Sequence, residues 1–324
     1  MKALVFEQPD KAVVRDVDMP TIAADEVLVR SRNVGICHSD FELYAGRYII
    51  PVSYPIIPGH EWAGEIAEVG NDVTTLRPGD RVVGECVVNN GDDHFGFSIS
   101  GADAEYFVAK ASWLHTIPEE LSLMQGAFVE PFSVAYSSAI AAGGIDASDE
   151  VAVIGGGPIG LLCAMTAATM GGAVTLIEPQ EHRRKLGLEI GAMRAIDPGA
   201  GPLSEQVNDA TAGRGFDVVI EAAGVPAAMA SAFPIAALGG RVVIVGIDVG
   251  GSAEVEIGLV QSKALQVRGI IGSAGLWPRT IRFMATSGVD PSPLLTATFP
   301  LHEGTAALEA ARDTSRNVKV QIEC

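Results

Sequence analysis

The chain of 324 residues is short of cysteine, of basic residues and of aromatic side chains, and two of these shortages each exclude a class of protein. Its four cysteines (Cys37, Cys86, Cys163 and Cys324) stand far apart with no framework spacing. That excludes a small disulfide-stapled secreted fold and favours a reducing compartment, the cytoplasm. Lys and Arg number 22 against 40 Asp and Glu, a formal net charge of -18. So acidic a chain is repelled by nucleic-acid backbones and anionic membranes, so no nucleic-acid or membrane partner is expected. Acidity does not bar a phosphate-bearing ligand, because amides at a helix N-terminus bind phosphate in an acidic protein too. The N-terminal MKALVFEQPDKAVVRDVD reaches acidic residues before any apolar run long enough for a signal peptide. One long charge-free run exists, Val151 to Ile177. It contains GGGPIG and a later Gly-Gly, and its flanks are Asp149, Glu150 and Glu178 rather than basic residues. A strand, a turn, a helix and a second strand are expected there in place of a membrane span.

What is present has two textures, and the length is too great for one ordinary core. The first part reads as β-branched runs, among them KALVF, AVVRDV, EVLVRSRNVG, EWAGEIAEVG and DRVVGECVV, punctuated by Pro58-Gly59 and Pro78-Gly79-Asp80. This predicts a β-rich barrel. From about Leu121 an alanine-rich helical stretch leads into EVAVIG, AVTLIEP, DVVIEAAG and GRVVIVGI, all-apolar strands separated by helical segments. Apolar strands alternating with helices predict a parallel sheet covered on both faces. The tail returns to mixed texture and ends on NVKVQIEC. The expected domains are 1–122 with 266–324 for the first texture, and 123–265 for the second.

Gly155, Gly157 and Gly160 form a G-x-G-x-x-G turn that follows the strand EVAVI and opens a helix through Pro158 and Ile159. Gly155 permits the tight turn, Gly157 lets backbone approach a pyrophosphate, and Gly160 lets helix and strand pack closely. Glu178 closes the next strand, where a carboxylate accepts hydrogen bonds from both adenosine ribose hydroxyls and repels a 2′-phosphate. NAD is therefore expected over NADP. Arg183 follows closely, with a place either on adenine or against a phosphate.

Cys37, in GICHSD, and His60-Glu61, in PGHEWAGEIAEVG, are good zinc ligands on separate loops of the predicted barrel. A catalytic zinc needs a third protein ligand. Glu130, in FVEPFSVAY where the textures meet, is the first candidate, and Glu61 is its competitor.

Gly59-His60-Glu61-x-x-Gly64 with Gly70 and Val73, together with GICHSD, LRPGDRVV and GGGPIG in that order, resembles the zinc-containing medium-chain dehydrogenase/reductase family. The resemblance covers essentially the whole chain. It implies an α/β fold class: a GroES-like β-barrel catalytic domain completed by the C-terminal segment, plus a Rossmann dinucleotide-binding domain. Glu130 then occupies the third-ligand place as in the polyol dehydrogenase branch. Two departures stand out. Where relatives carry a four-cysteine structural-zinc lobe, this chain has VVNNGDDHFGFSISGADAEYFV, so one zinc per subunit is expected. Where the sorbitol branch holds polyol hydroxyls with an Arg-Tyr pair, this chain offers Gly272 and Ser273.

The expected reaction is hydride transfer from a secondary or primary alcohol or polyol to NAD, with the oxygen bound to Zn2+. Ser39 is placed to accept the alcohol proton, and Glu42 stands where many relatives carry a relay histidine. Tyr44, Phe97 and Trp113 are candidate pocket walls. Two alternatives compete with this reading: a zinc-free NADPH quinone or enoyl reductase, and a silent NAD-binding sensor or structural protein. The family implies a homodimer or homotetramer, and GRVVIVGI is a candidate edge strand.

Overall fold

The computed structural model describes residues 1–48, 50–248, 250–272 and 275–324. It divides into two compact units, Met1–Glu130 with Ala274–Cys324, and Pro131–Ser273.

The first unit opens with the hairpin β1 (Lys2–Gln8) and β2 (Lys11–Asp16). Strand β3 (Glu26–Gly35) leads to helix α1 (His38–Tyr44), and the chain returns as β4 (Glu61–Val69). Then come β5 (Arg81–Gly84), the two-residue pair β6 (Val87–Val88) and β7 (Asp93–His94), β8 (Tyr106–Lys110), β9 (Leu114–Thr116) and the short helix α2 (Leu123–Gly126). β3 buries Val27, Val29 and Ser31 on one face by strict alternation. At its C-terminal end the alternation stops at a register shift between Ser31 and Asn33, and Asn33, Val34 and Gly35 are all buried. Val27, Val29, Val34, Trp62, Ile66, Val82 and Phe107 form one barrel core.

Helix α3 (Val129–Ala141) carries the chain into the second unit. There β10 (Glu150–Ile154), α4 (Pro158–Thr169) and β11 (Ala173–Ile177) account for the whole charge-free run. They are followed by α5 (Glu181–Glu189), β12 (Arg194–Ile196), α6 (Leu203–Thr211), β13 (Phe216–Glu221), α7 (Pro226–Ile235), β14 (Ala236–Ile244), α8 (Gly258–Ser262) and β15 (Gln266–Gly269). The sheet is parallel with order β12-β11-β10-β13-β14-β15. The chain winds outward from β10 in one direction and then in the other, so the sequence order reverses beside β10. Two sequence expectations change here. The Gly240–Ile244 part of GRVVIVGI lies in β14, between β13 and β15, and is not an edge strand. Residues 266–269, grouped by pattern with the tail, form the edge strand β15 of this sheet.

The C-terminal segment supplies α9 (Trp277–Thr286), β16 (Leu295–Pro300), α10 (Gly304–Arg312) and β17 (Lys319–Glu323) to the first unit. β17 pairs antiparallel with β3, so the last strand closes the sheet that the third began. No helix among the described residues is long and apolar enough to cross a membrane.

Candidate active site

Strand register explains why residues far apart in sequence meet. Gly35, the last residue of β3, pairs with Glu61, the first of β4, and Gln321 of β17 pairs with Gly35 from the other side. Cys37 lies just past the end of β3, His60 just before β4, and Lys319 at the start of β17. Antiparallel pairing therefore delivers all three to one corner of the sheet. Gly35 keeps that corner open: a Cβ there would stand 2.4 Å from Glu61 Oε2 and 3.0 Å from Lys319 Cε. Gly59 has φ +96°, and a Cβ would fall within 3 Å of both Val34 and Asp103. The turn that aims His60 inward thus needs glycine.

One ligand atom each from Cys37, His60 and Glu61 lies within 4.8 Å of the other two. His60 is 4% exposed and Glu61 1%. Asp40, in the first turn of α1, accepts the Cys37 backbone N–H through Oδ2 at 2.8 Å. Its Oδ1 lies 3.3 Å from His60 Nδ1, a charge contact without good hydrogen-bond alignment. That leaves Nε2 for a ligand, the usual arrangement of a carboxylate behind a metal-binding imidazole. Ser39 Oγ stands 3.4 Å from the same Nε2. Burial opposes charging His60, but the Asp40 carboxylate and Cys37 outweigh it and raise its pKa well above the usual value. These donors fit zinc in both chemistry and grouping: a thiolate, an imidazole whose Nε2 is turned away from Asp40, and a carboxylate.

Glu61 is also ion-paired with Lys319, itself 2% exposed, whose Nζ donates to the Ile36 carbonyl at 3.0 Å. No sequence signal pointed to Lys319, because its partner is remote in the chain. Glu61, the sequence competitor, stands at ligand spacing from Cys37 and His60, and Glu130 is not among the residues so grouped. Glu130 sits close enough to sense His60, Glu61 and Lys319. Burial, the largest cause, pushes its carboxyl up to about 7. Glu42 is held by Arg47 through contacts of 3.1 and 3.3 Å, and that pairing lowers its pKa.

The aromatic guesses divide. Phe97 lies against the His60 ring, centroids 4.5 Å apart. Tyr44 instead packs edge-on against Phe6 in a separate cluster with Leu4, Leu43 and Leu308, and Trp113 packs on the Val27–Phe107 cluster. Tyr48, unremarked in the sequence, stacks on Phe97. Gly272 is described, but Ser273 lies outside the described residues.

In the second unit the glycine turn joins β10 to α4, with Gly157 at the N-cap and Pro158 opening the helix. Gly155 has φ +98° and lies against the Ala223 backbone, while Gly160 sits under the Gly155 carbonyl. Glu178, 4% exposed at the end of β11, accepts the Gly156 N–H at 2.6 Å and the Gln180 N–H at 2.8 Å. Arg183 is buried; desolvation lowers its pKa, and the Glu178 charge opposes that shift. Arg184 is committed to the Glu178 and Pro179 carbonyls and to Asp197. Free amides at the start of α4 and a carboxylate at the end of the neighbouring strand suit a dinucleotide.

Comparison with known proteins matches both kinds of domain. Residues 23–119 match the alcohol dehydrogenase GroES-like domain, and residues 158–286 match the zinc-binding dehydrogenase domain. A sorbitol dehydrogenase of Bacillus subtilis (strain 168) is 31% identical, over 96% of this chain and 93% of its own. The crystal structure of 2R,3R-butanediol dehydrogenase from Bacillus subtilis superposes with a TM-score of 0.93 at 28% identity, covering 100% of this chain and 99% of that one. A zinc-binding dehydrogenase from Sinorhizobium meliloti 1021, bound to NADP, gives a TM-score of 0.90 at 29% identity, covering 100% and 99%.

Proposed function

The chain belongs to the zinc-binding alcohol and polyol dehydrogenase family, the zinc-containing medium-chain dehydrogenases, and from that premise we propose how it works and on what. It oxidises a secondary alcohol within a diol or polyol to the ketone, passing hydride to NAD. The observation that carries this reading is the grouping of Cys37, His60 and Glu61, with Ser39 beside the open imidazole nitrogen. Cys37, His60 and Glu61 would hold one zinc, and Glu130 is a half-buried carboxylate whose charge reaches His60 and Glu61. Those residues would place a zinc where it supplies Lewis-acid polarisation of the alcohol oxygen. Asp40 orients His60, and Lys319 steadies Glu61. Ser39 accepts the alcohol proton. Glu42 is committed to Arg47, so the relay does not extend through it.

NAD is favoured because Glu178 would meet a 2′-phosphate with a buried negative charge, and because Arg184 is already committed. A relative that binds NADP makes this a property of these particular side chains rather than of the fold. The enzyme acts as a homodimer or a larger assembly, with β15 as the joining edge: every residue of β15 is exposed, and Leu238 and Ile271 are 80% and 76% exposed. All four cysteines are free, in keeping with the cytoplasm.

Elemental analysis by plasma mass spectrometry, with a chelation test of NAD-linked alcohol oxidation, decides the main points. About one zinc per chain, with activity lost on chelation and restored by zinc, is expected. No zinc, or full activity after complete chelation, would refute the assignment of Cys37, His60 and Glu61.

A further inference from the structure

Three tyrosines stand in or just beyond α1. Tyr44 donates its hydroxyl to the Asp10 carbonyl at 2.6 Å, and Tyr54 donates to the Leu43 carbonyl. The Tyr48 hydroxyl makes no hydrogen bond to another described residue, although its ring is firmly placed. That ring stacks face to face on Phe97, with centroids 4.5 Å apart and 11° between planes. Phe97, 2% exposed, lies 4.5 Å from the His60 ring at 42°. The three rings form a shelf that starts at the metal-competent cluster and ends at a phenol with an open donor. Burial, the largest influence, pushes the phenol up to about 12; the charges of His60, Cys86, Cys37 and Asp40 also reach it. At neutral pH the hydroxyl therefore keeps its proton and can donate.

We propose that Tyr48 is a specificity-determining residue: its hydroxyl donates a hydrogen bond to a second hydroxyl, on a carbon next to the reacting carbinol, and so selects diols and polyols over simple secondary alcohols. The proposal rests on the reading that the reacting oxygen binds beside His60 and Ser39. A molecule anchored there has the Phe97 face at one side and the Tyr48 hydroxyl one ring stack further out, within reach of a neighbouring substituent. A neutral hydroxyl suits this place better than a phosphate or carboxylate. Of the charged groups that reach the phenol, Asp40 is negative and His60 is held against that same carboxylate; the Cys86 thiol is neutral, and Lys319 is committed to Glu61. An anionic substituent would thus lack a countercharge.

The test compares kcat/KM of the zinc-loaded wild type and Y48F, at saturating NAD, on 2,3-butanediol and on 2-butanol. Tyr48→Phe keeps the ring stack and removes only the donor. A loss of about 3- to 10-fold on the diol is expected, the effect of one neutral hydrogen bond, with the monoalcohol changed by less than about twofold. Equal losses on both substrates would show a merely structural role, and no loss on the diol would show that the hydroxyl is not used; either result overturns the proposal. If the wild type oxidises neither alcohol, the reading of the site as one for a small diol falls and Tyr48's role falls with it.

Discussion

Replacing Gly157 with alanine should leave the protein folded but weaken its hold on the dinucleotide, whereas the same change at Gly160 should damage the fold. Gly157 has φ -69° and ψ 176°, extended backbone open to any residue, and a Cβ built there meets nothing within 4 Å. Alanine would stabilise by about 0.4–1 kcal/mol by narrowing the unfolded ensemble. It would lose roughly 0.5–1 kcal/mol as a poorer N-cap than glycine. The net change is therefore within about 0.5 kcal/mol of zero. The folded chain does not need a glycine at 157, so its lack of a side chain serves the ligand. A methyl group in the pyrophosphate's path is an overpacking of about 1–3 kcal/mol, or roughly a 5- to 150-fold rise in the NAD dissociation constant. At Gly160 the added carbon would stand 1.9 Å from the Gly155 carbonyl oxygen. Gly155 cannot retreat, because its own Cβ position is 2.8 Å from the Ala223 backbone. Gly160→Ala should thus cost at least about 2–3 kcal/mol, a fall of roughly 5–10 °C in Tm. Thermal melts followed by circular dichroism, with calorimetric NAD titrations, separate the two effects. Wild-type NAD affinity in G157A, or a melt as damaged as that of G160A, would refute this division of labour.

Two further perturbations test the metal corner. Lys319→Met removes one partner of a pair whose members are 1% and 2% exposed, leaving a buried carboxylate unpaired in the metal-free protein. A loss of about 3–5 kcal/mol in urea unfolding is expected, with partial recovery in the K319M/E61Q double variant, and a loss under 1 kcal/mol would contradict the pairing. The Glu130 carboxyl is raised in the folded state to about 7 from its ordinary 4.5, so the folded protein holds a proton that the unfolded chain releases. That group's contribution is neutral below about pH 4.5 and becomes a penalty as pH rises to 7, on the order of 1–3 kcal/mol since the residue is not fully sealed from solvent. Glu130→Gln should therefore stabilise the metal-free protein at pH 8 more than at pH 4.5, measured by urea midpoints. An equal effect at both pH values would rule out that titration.

Local chemistry is what a linear pattern records, and most of the second unit was legible for that reason. Each apolar strand, the glycine turn and Glu178 lie within one strand-turn-helix-strand unit, so spacing alone carries their meaning. The edge of that sheet was misread because an interior strand and an edge strand differ in their neighbours, not in their apolar content.

In the first unit the residue types of the candidate site were legible, since thiol, imidazole and carboxylate announce their chemistry wherever they stand. Their partnership depends on long-range register. That Glu61 stands beside Cys37 and His60 follows from the pairing of Gly35 with Glu61. Lys319 is invisible from either residue until β17 is laid against β3, and the Tyr48 shelf exists only once three loops have packed. Sequence by itself determined the kinds of groups and their local turns, because those depend on neighbours along the chain. Tertiary structure alone decided which groups meet, because burial and strand pairing join residues whose separation in sequence carries no information about distance.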